Sequence, residues 1–193
     1  MAVRGRIAEP ATRIAVDVTF LRMRHPPRTA PRPLPPGYTV ERIAHPSVSF
    51  YRQLYDGVGA PYCWWLRRVL SDAALSDVLN AARTSVHVLW HSAAAAGFYE
   101  LDRLPGREIN LAYFGLLPAE IGQGVGRAFL DHAIATAWAE EPRMLRVNTC
   151  TADHPRALPT YLRAGFEQIS RVREIWDIPD ALGFEIPARL RVK

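Results

Sequence analysis

Residues 119–132 read AEIGQGVGRAFLDH, with glycine at positions 122, 124 and 126, and helical periodicity begins at once behind them. Glycine weakens a helix interior by ~1 kcal/mol relative to alanine, and its use lies in conformations or close approaches that side chains forbid. The stretch falls between an alternating run that ends near Leu117 and a helix that starts near Gly124. A glycine turn at such a junction aims backbone N–H groups outward at the positive end of the helix, the arrangement that cradles a phosphate. The competing reading is a tight turn with close helix–strand packing, and the glycines alone leave the two even. A P-loop is excluded, because Gly126 is followed by Arg127-Ala128 and not by Lys-Ser/Thr. The spacing G-x-G-x-G and its late position also fit a dinucleotide fingerprint poorly.

The rest of the chain sets the context. Ile14, Val16, Val18 and Phe20 alternate as a strand, and the proline-dense HPPRTAPRPLPP that follows reads as an extended connector. We therefore read residues 1–37 as an N-terminal extension with one strand and a connector, and residues 38–193 as the main domain. YTVERIA alternates as a strand, 47–56 reads as helix, and APYCWWLRRVLSDAALSDVLNAA holds one or two more, with Ser71 or Ser76 as caps. TSVHVLWH and AAAAGFYEL form a hairpin candidate, and INLAYFGLL is a further strand. Residues 125–139 carry a wide apolar stripe through Val125, Phe129, Ala133 and Ala137, an amphipathic helix on a sheet. MLRVNTCT is a strand and DHPRALPTYLRA a short helix ended by Gly165; FEQISRV and REIWDI follow as two strands. The order predicts an α/β fold, a mixed sheet with helices on both faces.

Composition excludes several classes. The 193 residues suit one domain with its own core, and the two cysteines, Cys63 and Cys150, form neither a disulfide framework nor a zinc motif. His87 and His91, four apart on a strand, lie about 13 Å from each other, too far to share a metal, so no metal site is expected. No signal peptide or membrane-length apolar run is read, which predicts a soluble cytoplasmic protein. The net charge of +5 is almost all arginine, scattered singly or in pairs, which favours solvated faces or an anionic small ligand over nucleic acid.

LLPAEIGQGVGRAFLDHA resembles the acetyl-CoA loop of the GCN5-related N-acetyltransferases (GNAT), whose usual form is a strand, a proline and then [RQ]-x-x-G-x-[GA]. DHPRALPTYLRAGFEQI resembles the same family's C-terminal signature, and the two lie in the family's order with a helix and a strand between them. The resemblance covers about residues 83–176. It implies a mixed sheet splayed where the pantetheine arm enters, and acetyl transfer from acetyl-CoA to a primary amine of a small molecule or peptide. It further implies that Leu116 and Leu117 meet the arm through their backbone. The N–H groups of Ile121, Gly122, Gln123, Gly124, Val125, Gly126 and Arg127 then hold the pyrophosphate, with Arg127 also meeting leftover phosphate charge. Thr149, Asp153 and His154 border the cofactor's path, although Asp153 is also readable as a helix cap. The family's Arg or Gln at the loop's first position is Ile121 here; since the contacts are backbone amides, binding is expected to survive. A homodimer is compatible with the family.

Acetyl transfer to an amine requires loss of a proton from the amine, stabilisation of an oxyanion and a donor for the departing thiolate. Tyr161 falls on the family position that often supplies that donor. For the base, many relatives carry a carboxylate where this chain has Asn110; Glu108, two residues earlier on the same strand face, and Glu100, on the preceding strand, are the two alternatives. Trp64 and Trp65 wall the acceptor pocket or pack in the core, Cys150 reads as a buried inert thiol, and Pro159 predicts a kinked first turn in its helix. The absent carboxylate at Asn110 supports an alternative function, a non-catalytic acyl-CoA-binding sensor or scaffold of the same fold.

Overall fold

The alternation of Ile14, Val16 and Val18 is realised as strand β1 (Ala11–Met23), whose apolar face is buried. In this computed structural model, which describes residues 9–192, β1 is an inner strand of one seven-stranded sheet. The remaining strands are β2 (Tyr38–Ile43), β3 (Thr84–His91), β4 (Ala94–Leu104), β5 (Glu108–Leu116), β6 (Met144–Cys150) and β7 (Glu167–Pro179). Their order across the sheet is β2-β3-β4-β5-β6-β1-β7, and only β5 and β6 run parallel. The sheet is open, with β2 and β7 at its edges.

Helices cover both faces. Helix α1 (Val48–Gly59) and α2 (Asp72–Asn80) are capped by Ser47 and Ser71, which accept from the N–H groups of Phe50 and Ala74. They bury Tyr51, Leu54, Tyr55, Leu75 and Leu79 against Val86, Val88 and Phe98 on one face of the sheet. On the other face, α3 (Val125–Trp138) sets Val125, Phe129, Ala133 and Ala137 against Tyr99, Leu101, Ile109 and Leu111, the stripe its sequence predicts. A third cluster gathers Ile14, Val16 and Val18 with Cys63, Ala152 and Ile178.

Four local readings are settled by the structure. Of the one or two helices read after residue 60 one forms, α2; residues 60–70 are a short 3-10 turn and irregular chain, with Cys63 at a left-handed φ of 56°. The two strands expected after Gly165 are one, β7, antiparallel to β1 through a bulge near Phe20/Leu21. Pro159 leaves the helix α4 (Ala157–Arg163) intact, since it occupies the first turn, where a backbone N–H has no intrahelical acceptor to lose. Asp153 does not cap α4; its carboxylate turns back to the end of β6, accepting from Thr149 Oγ1 at 2.7 Å and the Cys150 N–H at 2.9 Å.

Candidate active site

The sheet splits in its middle. The β5–β6 ladder runs only from Glu108/Met144 to Leu111/Val147, while β5 continues to Leu116 and β6 to Cys150. The cause is local on both sides. Ala112 is an extra residue in β5, so Leu101 pairs with Leu111 but Glu100 with Tyr113, and the bulge bends β5 with β4. On the other side β6 stays bonded to β1, with Cys150 opposite Val18. Beyond Leu111 the β6-facing edge of β5 therefore offers unpaired backbone groups. A cleft of about 780 Å³ fills the gap, lined by β5 residues from Asn110 to Leu116 and by residues from all three core clusters.

At one end of this cleft lies the glycine turn. Gly122 and Gly124 take φ of +91° and +84°, and a Cβ on either would point into open space. Packing therefore does not exclude a side chain at these two positions; the left-handed backbone disfavours one. Gly126 is different, with a right-handed φ and a Cβ position 3.4 Å from Leu116 Cδ1, an ordinary contact distance, so neither backbone nor packing demands glycine there. Gly124 is the N-cap of α3 and supplies no side-chain acceptor, which leaves the first-turn N–H groups aimed outward at the positive helix end. Glu120 anchors the turn from behind, accepting from Tyr38 Oη at 2.5 Å and meeting His91 Nδ1 at 3.1 Å. Arg127, Arg156 and Arg163 stand exposed on the same cleft wall. An N–H cradle at the start of α3, glycines with open space where a side chain would sit and a cationic rim fit a pyrophosphate-bearing ligand.

Tyr161, on α4, is buried among Phe114 and Phe166 yet reaches the cleft. Burial, with Asp153 adding a smaller effect, pushes its phenol well above the ordinary range, so it stays protonated as a donor. Ile121, Gly122, Gly124, Gly126, Arg127, Leu116 and Asp153 line the cleft with it. Leu117, Gln123, Val125 and Thr149 lie beside it without lining it: Leu117 N–H bonds Ala96 O, Gln123 N–H bonds Glu120 O, Val125 is buried under the helix, and Thr149 bonds Asp153.

The two glutamates of the sequence reading sit elsewhere. Glu108, at the start of β5, pairs with Arg146 at 2.6 Å. Glu100 is wholly buried, accepting from Tyr51 Oη at 2.6 Å and from Arg67 Nη2 at 2.5 Å; it reaches the cleft only through Arg67, which lines it. The lining carboxylates are Asp153 and Glu174. Trp64 packs on Tyr55 and Tyr113 and donates to Asp153 at 3.3 Å, and both Trp64 and Trp65 line the cleft. Cys150 is mostly buried, and burial pushes its thiol up to about 12, which leaves it inert. Sequence reasoning missed Val18, Phe20, Glu174 and Trp176 as cleft residues; the period-2 pattern of Val172, Glu174 and Trp176 on one face of β7 was the available signal.

A family model described as an acetyltransferase (GNAT) domain matches residues 55–179. The chain belongs to the GNAT acetyltransferase family. Solved GNAT structures share its fold at low identity. A GCN5-related N-acetyltransferase from Sphaerobacter thermophilus is 18% identical with a TM-score of 0.61, covering 89% of this chain and 53% of its own. A tandem GNAT protein from the clavulanic acid biosynthesis pathway is 17% identical with a TM-score of 0.57, covering 86% of this chain and 55% of its own. An aminoglycoside acetyltransferase from an uncultured soil metagenomic sample, in complex with trehalose, is 15% identical with a TM-score of 0.57, covering 69% and 93%. The GNAT chain thus spans about half the length of the first two. No curated protein matches it in sequence. Among the described residues no cluster of His, Cys, Asp or Glu is arranged to hold a metal ion, and no helix is long and apolar enough to cross a membrane.

Proposed function

We propose that this GNAT protein is an acetyl-CoA-dependent N-acetyltransferase that moves the acetyl group directly to a primary amine of a small molecule or peptide. The observation that carries the reading is the convergence, in one cleft, of the split between β5 and β6, the open glycine turn at the start of α3, and the Tyr161 hydroxyl. Acetyl-CoA supplies the activated thioester. The N–H groups of Gly122 and of Gly124 through Arg127 hold its pyrophosphate, and the unpaired edge of β5 up to Leu116 meets the arm, with Thr149 holding Asp153 at the cleft wall. Ile121, Gln123 and Leu117 use their own N–H groups to fix the turn. The Tyr161 hydroxyl donates a hydrogen bond to the leaving sulfur. With a phenol far less acidic than a thiol, this donor assists in the transition state and keeps its proton in the resting enzyme.

Glu100 acts through Arg67, holding that guanidinium at the cleft wall, and Glu108 holds β5 to β6 through Arg146 below the split. The domain carrying the activity is residues 38–193, completed by the strand that residues 11–23 insert between β6 and β7. The basic, arginine-rich surface and the family suit a cytoplasmic enzyme whose anionic ligand is the nucleotide. A non-catalytic acyl-CoA sensor of the same fold is the second reading, favoured by one observation: the cleft residue at the usual base position is Asn110. Thiol release from acetyl-CoA with a panel of amines decides between them. Amine-dependent release supports the enzyme, and tight binding with no release supports the sensor.

A further inference from the structure

The cleft is also lined by residues of β1, β7 and the chain after α1 that the acyl-donor reading leaves unused. Phe20 of β1, Trp65 and Trp176 of β7 all pack on the cluster of Ile14, Val16 and Val18, and all three stay partly open to the cleft. Glu174 lies on the same face of β7 as Trp176, two residues away, opposite Val16 in the β1–β7 ladder. The Trp176 indole N–H donates to Glu174 Oε2 at 2.8 Å, which fixes the carboxylate and leaves Oε1 for a ligand.

Charge accounting singles out this group. Of the charged side chains lining the cleft, Arg67 is matched by Glu100, and Asp153 is occupied by Thr149, the Cys150 N–H and Trp64. Arg127, Arg156 and Arg163 lie at the start of α3 and on or beside α4, where polyphosphate is expected. Among the described residues Glu174 has no cationic partner, and Phe20, Trp65 and Trp176 line the same cleft. A carboxylate in a cleft with aromatic lining is a receptor for an ammonium through charge and hydrogen bonding, and the aromatic lining favours a flat apolar body.

We infer that Glu174, held by Trp176 in a cleft that Phe20 and Trp65 also line, is the acceptor-recognition residue, and that the acceptor is a cationic amine with an apolar or aromatic body and no carboxylate of its own. The inference rests on the acetyltransferase reading. An acceptor acid group would face Glu174 unpaired, which costs affinity by like-charge repulsion. The role is recognition, with the amine proton leaving to solvent before attack.

The test compares 2-phenylethylamine with phenylalanine, the same body with and without a carboxylate, in steady-state kinetics of the full chain. The wild type is expected to prefer 2-phenylethylamine by at least about tenfold in kcat/KM, and Glu174→Gln to raise its KM by about tenfold or more with kcat within about threefold. Trp176→Phe, which keeps the ring and removes the N–H, should raise KM by a smaller factor. Calorimetry with acetyl-CoA should give the same Kd for all three proteins. Equal or better use of phenylalanine, an unchanged KM in Glu174→Gln, or acetyl-CoA binding without turnover of either amine overturns the inference and leaves the acyl-donor site standing. Failure of the wild type to bind acetyl-CoA overturns both.

Discussion

Alanine substitutions at Gly124 and Gly126, two residues apart, should act in opposite directions on stability. Gly124 sits at φ +84° with open space beyond its missing Cβ, so alanine meets no clash and incurs only the left-handed backbone strain, about 1–2 kcal/mol. For a domain of this size that is a fall in Tm of roughly 2–8 °C. Gly126 is right-handed within α3, its Cβ position is 3.4 Å from a leucine methyl, and alanine there gains helix propensity of up to about 1 kcal/mol less a small packing adjustment. Its Tm should hold or rise by a few degrees. Ligand binding separates them again. The added methyl at 124 enters the cleft at the turn, whereas at 126 it faces Leu116, so acetyl-CoA affinity should fall by about tenfold or more for Gly124→Ala and stay within about threefold for Gly126→Ala. Gly124→Asp should abolish binding, since a negative side chain replaces the phosphate's space. Scanning fluorimetry with and without acetyl-CoA reads all of this. Equal Tm shifts for the two alanine variants, or undiminished binding by Gly124→Asp, would refute the view that position 124 is set by its left-handed backbone and the ligand and position 126 by neither.

Tyr161→Phe should lower kcat by ~10- to 1000-fold with the acetyl-CoA Kd nearly unchanged; parallel loss of both, by kinetics and calorimetry, argues against a donor role. Arg67→Ala strands the fully buried Glu100 without its cation and should destabilise the fold by about 3–5 kcal/mol in urea titration, with Arg67→Ala/Glu100→Gln recovering part of that. His87, buried and stacked on Tyr99 at 4.5 Å, has its pKa lowered from 6.5 to about 4, mainly by burial and secondarily by His132. Because the folded value lies below the unfolded one, the stability is complete above pH 6.5 and is lost as pH falls from there toward 4, by about 2–3 kcal/mol at pH 4.5. His87→Gln should flatten that part of the pH–stability curve, and an unchanged slope counts against the assignment.

What the sequence made legible follows from what local pattern encodes. Alternation placed Ile14, Val16 and Val18 on one buried face, and three glycines before an amphipathic stripe placed a glycine turn at a helix start. Alternation names a face but not a neighbour, so nothing local revealed that β1 inserts between β6 and β7 or that Phe20 reaches the cleft. For the same reason Glu100 and Glu108 were nominated by strand position alone, and their partners Arg67 and Arg146, 33 and 38 residues away, could not be read. Glu174 and Trp176 were hidden by a strand read as two. Pro159 shows the reverse error, a local rule applied one turn too deep: proline breaks a helix interior but is harmless where the N–H had no acceptor.

The central claim is that the glycine turn and the split between β5 and β6 form one acetyl-CoA site. Calorimetric titration of the protein with acetyl-CoA, with CoA and NAD as comparators, tests it most directly. The account predicts micromolar, saturable binding of acetyl-CoA and of CoA, and none of NAD. Absence of binding by either CoA species would show that Ile121, where the family has Arg or Gln, leaves the turn unable to hold the ligand, and the account would fail at its foundation.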